Sequence, residues 1–344
     1  MRAYVVTAPN TGAVQEVPSP VADPGQVVVD VHRVGVCGTD VEFFTGEMAY
    51  LHQGHAAYPI RLGHEWCGVV STVADDVDPA WLGRRVTGDT MIGCGHCERC
   101  RSGRHNVCEK RFEIGIRGGF PGALAEQLAV PATALLALPD EVDDRAGAMV
   151  EPGGNALRAV QAAALQPGDR ALVLGTGTIG LLVAEFARAQ GAEVHLLGRS
   201  EHSLGFARTL GFAGVWVAEA IPLLPWDAVI DASNAPALPA LALELVEPGK
   251  RIVYVGLSGT PSLIDTRALA LKDVTAVGIL AGSQGLAGAI ARYAAGDVDP
   301  RPLVAATVGL DRAGDVLAGW RPDLDRQLPD LKLHGPKLHI DPRI

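Results

Sequence analysis

Ala171-Leu-Val-Leu-Gly175-Thr-Gly177-Thr-Ile-Gly180-Leu-Leu-Val-Ala-Glu-Phe-Ala-Arg-Ala189 reads as a strand, a glycine turn and a helix in succession. Four apolar residues run straight into G-x-G-x-x-G, and the apolar positions after it recur at helical spacing. The first glycines permit a tight turn and close backbone approach, so a pyrophosphate can rest on the helix N-terminus. The third lets the helix pack on the strand. Gly175, Gly177, Thr178, Ile179 and Gly180 are therefore the candidate dinucleotide-binding residues. The alternative is a glycine-rich turn with no ligand. The strand before it and the amphipathic helix after it weigh against that.

The same texture continues downstream. Apolar strands are expected at Val194-His-Leu-Leu, Val215-Trp-Val, Ala228-Val-Ile, Ile252-Val-Tyr-Val and Val274-Thr-Ala-Val, with helical patterns between most of them. Short buried strands alternating with helices describe a doubly wound parallel sheet, a Rossmann domain, over residues 151–288. Cofactor choice in such a fold is read at the end of its second strand, where an acidic side chain would pair the ribose 2′-hydroxyl and repel a 2′-phosphate. Here stand Gly198, Arg199 and Ser200. Gly198 removes the carboxylate, while Arg199 and Ser200 offer partners to a phosphate. That favours NADP over NAD, although an ordinary surface arginine would give the same letters.

Upstream, residues 1–150 are short β-type runs punctuated by Gly and Pro, such as Gln26-Val-Val-Val-Asp-Val-His-Arg-Val and Trp66-Cys-Gly-Val-Val-Ser-Thr-Val. They indicate a compact, irregular β domain. After about 285 the alternating rhythm stops. Residues 289–344 end in Pro336-Lys-Leu-His-Ile-Asp-Pro, a strand returning to the first domain. The fold class is α/β, a β-rich domain joined to a parallel sheet.

Four of the six cysteines fall within fifteen residues, as Cys94, Cys97, Cys100 and Cys108. C-x2-C-x2-C-x7-C on a glycine-rich, charged loop (about 90–110) can wrap one ion in four sulfurs. That suits a closed, structural Zn2+. Disulfides are the alternative, but nothing else suggests export. Cys37-Gly38-Thr39-Asp40, then Gly63-His64-Glu65, then Glu151-Pro-Gly-Gly supply further competent ligands from distant segments, as catalytic zinc sites do. Taken singly, each is an ordinary buried cysteine, a satisfied histidine or a surface acid. Cys67 matches no ligand position and reads as a small buried hydrophobe.

Composition narrows the function classes. Net charge is −10, with no basic cluster, which argues against nucleic acid. The start, MRAYVVTAPN, lacks a signal-peptide pattern, and no apolar run is long enough to span a bilayer. A cytoplasmic location and a small-molecule substrate are expected.

CGTD near residue 37, GHE near 63, the cysteine lobe and G-x-G-x-x-G, in that order, resemble the zinc-dependent medium-chain dehydrogenase/reductases across essentially the whole chain. Glu151-Pro is similar to the polyol, threonine and sugar dehydrogenase branch. The resemblance implies a GroES-like catalytic domain, a Rossmann domain, a cleft between them, and a homodimer or homotetramer. It implies two Zn2+ per chain and NADP, with NAD as the alternative. Cys37, His64, Glu65 and Glu151 would be ligands of the catalytic zinc, and Asp40 would orient His64. Thr39 would touch the substrate oxygen and carry its proton towards the cofactor ribose, as hydride passes to nicotinamide. Many members have histidine two residues after the Asp of CGTD; Glu42 stands there, so the relay falls to Glu42, His52 or His55. The polar loop Phe43–Tyr58 lies between ligands and is expected to line the substrate cleft. It suits a sugar, cyclitol or polyol whose secondary alcohol is oxidised. The alternatives are a reductase of small apolar alcohols or aldehydes, and a non-catalytic NADP-binding scaffold.

Overall fold

The structure, a computed structural model, describes residues 1–199, 201–322 and 334–344, so Ser200 lies outside it. Two compact units divide the chain: Met1–Glu151 with Ala289–Ile344, and Pro152–Gly288.

In the first unit β1 (Arg2–Ala8) and β2 (Thr11–Glu16) form an antiparallel hairpin. The organising strand is β3 (Gln26–Val36), whose valines 27, 28, 29, 31 and 34 are buried. That run is too apolar for a strand with one wet face, and β3 is covered on both sides. β4 (Glu65–Val73) pairs along one edge, followed by β5 (Arg85–Gly88). The short β6 (Met91–Ile92) and β7 (Phe112–Glu113) pair with each other and close the base of the cysteine lobe. β8 (Gln127–Pro131) pairs the first half of β3, and β9 (Leu135–Ala137) pairs β5.

The second unit holds β10 (Arg170–Leu174), β11 (Glu193–Leu197), β12 (Gly214–Trp216), β13 (Trp226–Asp231), β14 (Val246–Tyr254) and β15 (Thr275–Gly278). Their order is β12-β11-β10-β13-β14-β15, every pair parallel. This is the dinucleotide-binding order, with the reversal between β10 and β13 just where the glycine turn leaves β10. All six strands overlap the positions expected from sequence; β10, β11 and β13 are buried apolar runs, whereas β15 at the sheet edge is largely exposed.

The chain then returns to the first unit as β16 (Val304–Gly309) and β17 (Lys337–Asp341). β17 pairs Val34–Val36 of β3, on the edge that β8 leaves free, and carries β16 beside it. The C-terminal strand is thus brought beside the ligand turns near Cys37 and Glu65.

The helix that follows Met149 runs Val150–Ala163, so Glu151 and Pro152 lie in its first turn. Proline in a first helical turn lacks only an N–H that has no helical acceptor anyway, so it does not delay the start. Among the described residues no helix is long and apolar enough to cross a membrane.

Candidate active site

The cysteine lobe brings Cys94, Cys97, Cys100 and Cys108 together, their sulfurs all within 4.8 Å of one another. Cys94–Cys100 and Cys97–Cys108 are 3.9 and 3.8 Å apart, and all six cysteines of the chain are free thiols. A tetrahedral ZnS4 unit with Zn–S bonds of about 2.3 Å has S–S edges of about 3.8 Å, so these separations fit zinc. The backbone N–H groups of His96 and Cys97 pull the Cys94 thiol down to about 6, whereas burial pushes the Cys100 thiol up to about 12.

A second group joins Cys37, His64 and Glu65, again within 4.8 Å. Cys37 is the N-cap of helix Gly38–Thr45, and His64 and Glu65 lead into β4. Asp40 stands behind them, fully buried. Its carboxylate accepts from the Cys37 N–H at 2.8 Å and the Gly63 N–H at 3.1 Å, and lies 3.4 Å from His64 Nδ1. Burial alone would raise the Asp40 pKa, but His64 and the two N–H groups outweigh it and hold it below the usual range. His64 Nδ1 is buried without a hydrogen bond and faces the ionised Asp40, the charge that would favour a proton on that nitrogen. The donor set of one thiol, one imidazole and one carboxylate fits zinc. Thr90 Oγ1 donates to the His64 carbonyl at 3.1 Å and steadies the turn.

Glu65 has a partner that sequence reading missed. Lys337 Nζ, on β17, donates to both Glu65 oxygens at 2.8 and 2.6 Å and to the Val36 carbonyl at 3.0 Å. Both side chains are almost wholly buried. Burial pulls the lysine pKa down, but the charges of Glu65 and Cys37 reverse this and leave it raised. Room for the carboxylate comes from Gly35, opposite Glu65 in the ladder: a Cβ there would lie 2.2 Å from Glu65 Oε2. Replacing Lys337 by methionine strands a buried carboxylate and should cost the metal-free protein about 3–5 kcal/mol. Thermal unfolding with and without chelator checks this, and the deficit of Lys337→Met should shrink once zinc shares Glu65.

Glu151 is not drawn into the three-residue group, and it occupies the first turn of helix Val150–Ala163. Thr39 is partly buried in the first turn of helix Gly38–Thr45. Glu42 is partly buried; burial and then Glu47 raise its pKa. His52 Nε2 is 3.0 Å from the Gly46 carbonyl, whereas His55 packs edge-on against Tyr50. Cys67 is buried, its thiol donating to the Asp144 carbonyl at 3.1 Å.

In the second unit Gly175 leaves β10 with a φ of 111° and leads to helix Thr178–Ala189. A Cβ at Gly180 would sit 2.0 Å from the Gly175 carbonyl oxygen, so only glycine allows that approach. At Gly177 an added Cβ would meet nothing, so no packing within the fold calls for glycine at this helix N-cap. The turn therefore fits a phosphate group held against the free N–H groups of the helix. Gly198, after β11, donates its N–H to the Trp216 carbonyl at 2.9 Å, and Arg199 next to it is exposed.

Comparison with known proteins agrees with this geometry. Residues 23–140 match the alcohol dehydrogenase GroES-like domain, and residues 178–295 match the zinc-binding dehydrogenase domain. An L-threonine 3-dehydrogenase of Saccharopolyspora erythraea is 33% identical over 81% of this chain and 83% of its own. The chain belongs to the zinc-dependent medium-chain dehydrogenase/reductase family. It is accordingly a zinc-dependent oxidoreductase acting on CH–OH groups. Among solved structures, an alcohol dehydrogenase (RspB) of Escherichia coli complexed with NADH superposes with a TM-score of 0.88. It is 26% identical, with 99% of each chain covered. A zinc-binding dehydrogenase of Sinorhizobium meliloti bound to NADP gives 0.87, also at 26% identity and 99% of each chain.

Proposed function

We propose that this dehydrogenase oxidises a secondary alcohol of a polyhydroxylated substrate (a sugar, cyclitol or polyol) to the ketone, or runs the reverse, with NADP preferred over NAD. Two zinc ions per chain are part of the proposal, one held by Cys94, Cys97, Cys100 and Cys108. The other would be held by Cys37 and His64, with Glu65 and Glu151 as its alternating carboxylate ligands. The observation that carries the reading is the group Cys37, His64 and Glu65 with Asp40 behind it, in a chain that also has the dinucleotide turn.

A zinc ion at Cys37 and His64 supplies a Lewis acid that makes a substrate hydroxyl more acidic, and bound NADP supplies the hydride acceptor. The chain's own residues do the rest. Asp40 fixes the tautomer and orientation of His64. Lys337 neutralises Glu65, so the buried site need not carry two uncompensated anions. Thr39, partly buried two residues after Cys37, takes the hydroxyl proton and passes it outwards. Glu42, with its raised pKa, is the nearest candidate to hold it next. A homodimer or homotetramer is expected for the assembly.

The polyol reading rests on the many hydrogen-bonding side chains of the loop Phe43–Tyr58, and on Glu151-Pro. NADP is supported by Gly198 and Arg199. A panel of polyols, sugars, cyclitols and simple alcohols, each with NADP and NAD, tests both by following reduced nicotinamide. Polyols should exceed simple alcohols, and NADP should exceed NAD. Arg199→Ala should raise the KM for NADP about tenfold or more, the worth of a charge-assisted hydrogen bond. Turnover confined to simple alcohols would sink the polyol reading; faster turnover with NAD would sink the reading of Arg199.

A further inference from the structure

Outside the zinc-ligand groups, one polar cluster is assembled from two segments far apart in sequence. Tyr50 and His55 come from the loop after helix Gly38–Thr45. Arg111, Glu113 and Arg117 come from the chain leaving the cysteine lobe. Arg111 Nε donates to Glu113 Oε1 at 2.7 Å, and Arg111 Nη2 donates to the Tyr50 hydroxyl at 3.3 Å. Tyr50 in turn reaches the same Glu113 oxygen at 3.4 Å. The Arg111–Glu113 pair is largely desolvated, with side chains 13% and 4% exposed, so each cancels the other's charge.

Arg117 has no such partner. Its guanidinium lies over the Tyr50 ring, 5.5 Å from the centroid, and its Nη2 is 3.5 Å from His55 Nδ1. Among the described residues no carboxylate stands within ion-pair distance of it, and it is partly buried. In a chain of net charge −10, an arginine stacked on an aromatic face without a counter-ion is a local positive spot.

Its mounting ties that spot to the zinc-ligand turn. Glu113 and Arg117 close a tight turn by exchanging backbone hydrogen bonds, of 3.1 and 2.9 Å. At the middle of this turn the Gly115 backbone lies against Gly63, the residue before His64; a Cβ on Gly115 would be 3.1 Å from Gly63 N. Next to it, Ile114 N–H donates to the carbonyl of Thr90, whose hydroxyl holds the His64 carbonyl. Gly118 N–H donates to the His55 carbonyl at 3.0 Å and locks the two segments together.

We propose that Arg117 recognises an anionic group, a carboxylate or a phosphate ester, on the substrate whose hydroxyl is oxidised. The proposal rests on the polyol dehydrogenase reading above and narrows its substrate class. A guanidinium presents paired N–H donors that match two oxygens of such a group, and stacking on Tyr50 fixes its plane before the substrate arrives. The Arg111–Glu113 pair, already neutral, holds Tyr50 in place without competing for the anion.

The test uses the full zinc-loaded chain and two matched pairs: a hexitol against its monophosphate, and an alditol against the corresponding aldonate. Wild type, Arg117→Met and Arg117→Lys are compared by kcat/KM. In one pair the anionic member should be preferred by at least about tenfold, and that pair tells phosphate from carboxylate. Arg117→Met should collapse the anionic-to-neutral ratio by about ten- to a hundredfold, chiefly through KM, and Arg117→Lys should restore part of it. Equal or better use of the neutral member in both pairs, or a ratio unchanged in Arg117→Met, would overturn the assignment and leave the polyol reading standing. Turnover of no member of either pair would overturn both.

Discussion

Cys37→Ser should lose turnover by about a thousandfold or more while the protein stays folded. Cys37 is the only thiol among the three ligand side chains that converge there. Lewis-acid stabilisation of a developing alkoxide is worth several kcal/mol, and each 1.4 kcal/mol is tenfold in rate. The fold should survive because Cys37 is only an N-cap, with helix Gly38–Thr45 packed through Phe43 and Phe44. The signature is therefore a near-native Tm, one zinc fewer per chain and turnover near background. A variant that keeps its turnover would remove Cys37 from the chemistry.

Cys97→Ser should give the opposite pattern. Its sulfur is one of four that converge at zinc–sulfur spacing, in a lobe where, among the described residues 90–110, Met91 and Cys108 are the only buried apolar side chains. Binding free energy at such a site is folding free energy, on the order of 10 kcal/mol in isolated zinc-binding peptides. Loss of one thiolate should leave the lobe disordered, lower Tm strongly and reduce soluble yield. Protease sensitivity confined to residues 90–110 would report the same event. A Cys97→Ser protein with unchanged Tm and zinc content would show that the lobe closes without the metal.

Much of this organisation is legible in the sequence for identifiable reasons. Strands covered on both faces must be apolar throughout, so β10, β11 and β13 of the second unit stand out from their helices. The turn at Gly175–Gly180 is legible because Gly180 has no tolerance for a Cβ. The cysteine lobe is legible because its ligands are close in sequence, so spacing encodes geometry. Glu65–Lys337 is not: the partners are separated by 272 residues and meet only because β17 takes the edge of β3 that β8 leaves free. A lysine in a C-terminal strand carries no local sign that it will be buried. The same holds for Arg117 and Tyr50, whose contact depends on Gly115 packing against Gly63. Glu151 shows the converse, a motif residue whose helix turn holds it outside the ligand group seen here.

Zinc dependence of alcohol oxidation is tested most directly by following zinc content and turnover in one sample as metal is withdrawn by a chelator. Protein as purified should hold about two zincs per chain and reduce NADP with a polyol. Withdrawal to one zinc should abolish turnover while the fold persists, and returning one equivalent should restore it. Undiminished turnover at one zinc per chain, with the remaining ion in the cysteine lobe, would contradict the assignment of Cys37, His64 and Glu65 as the catalytic metal site.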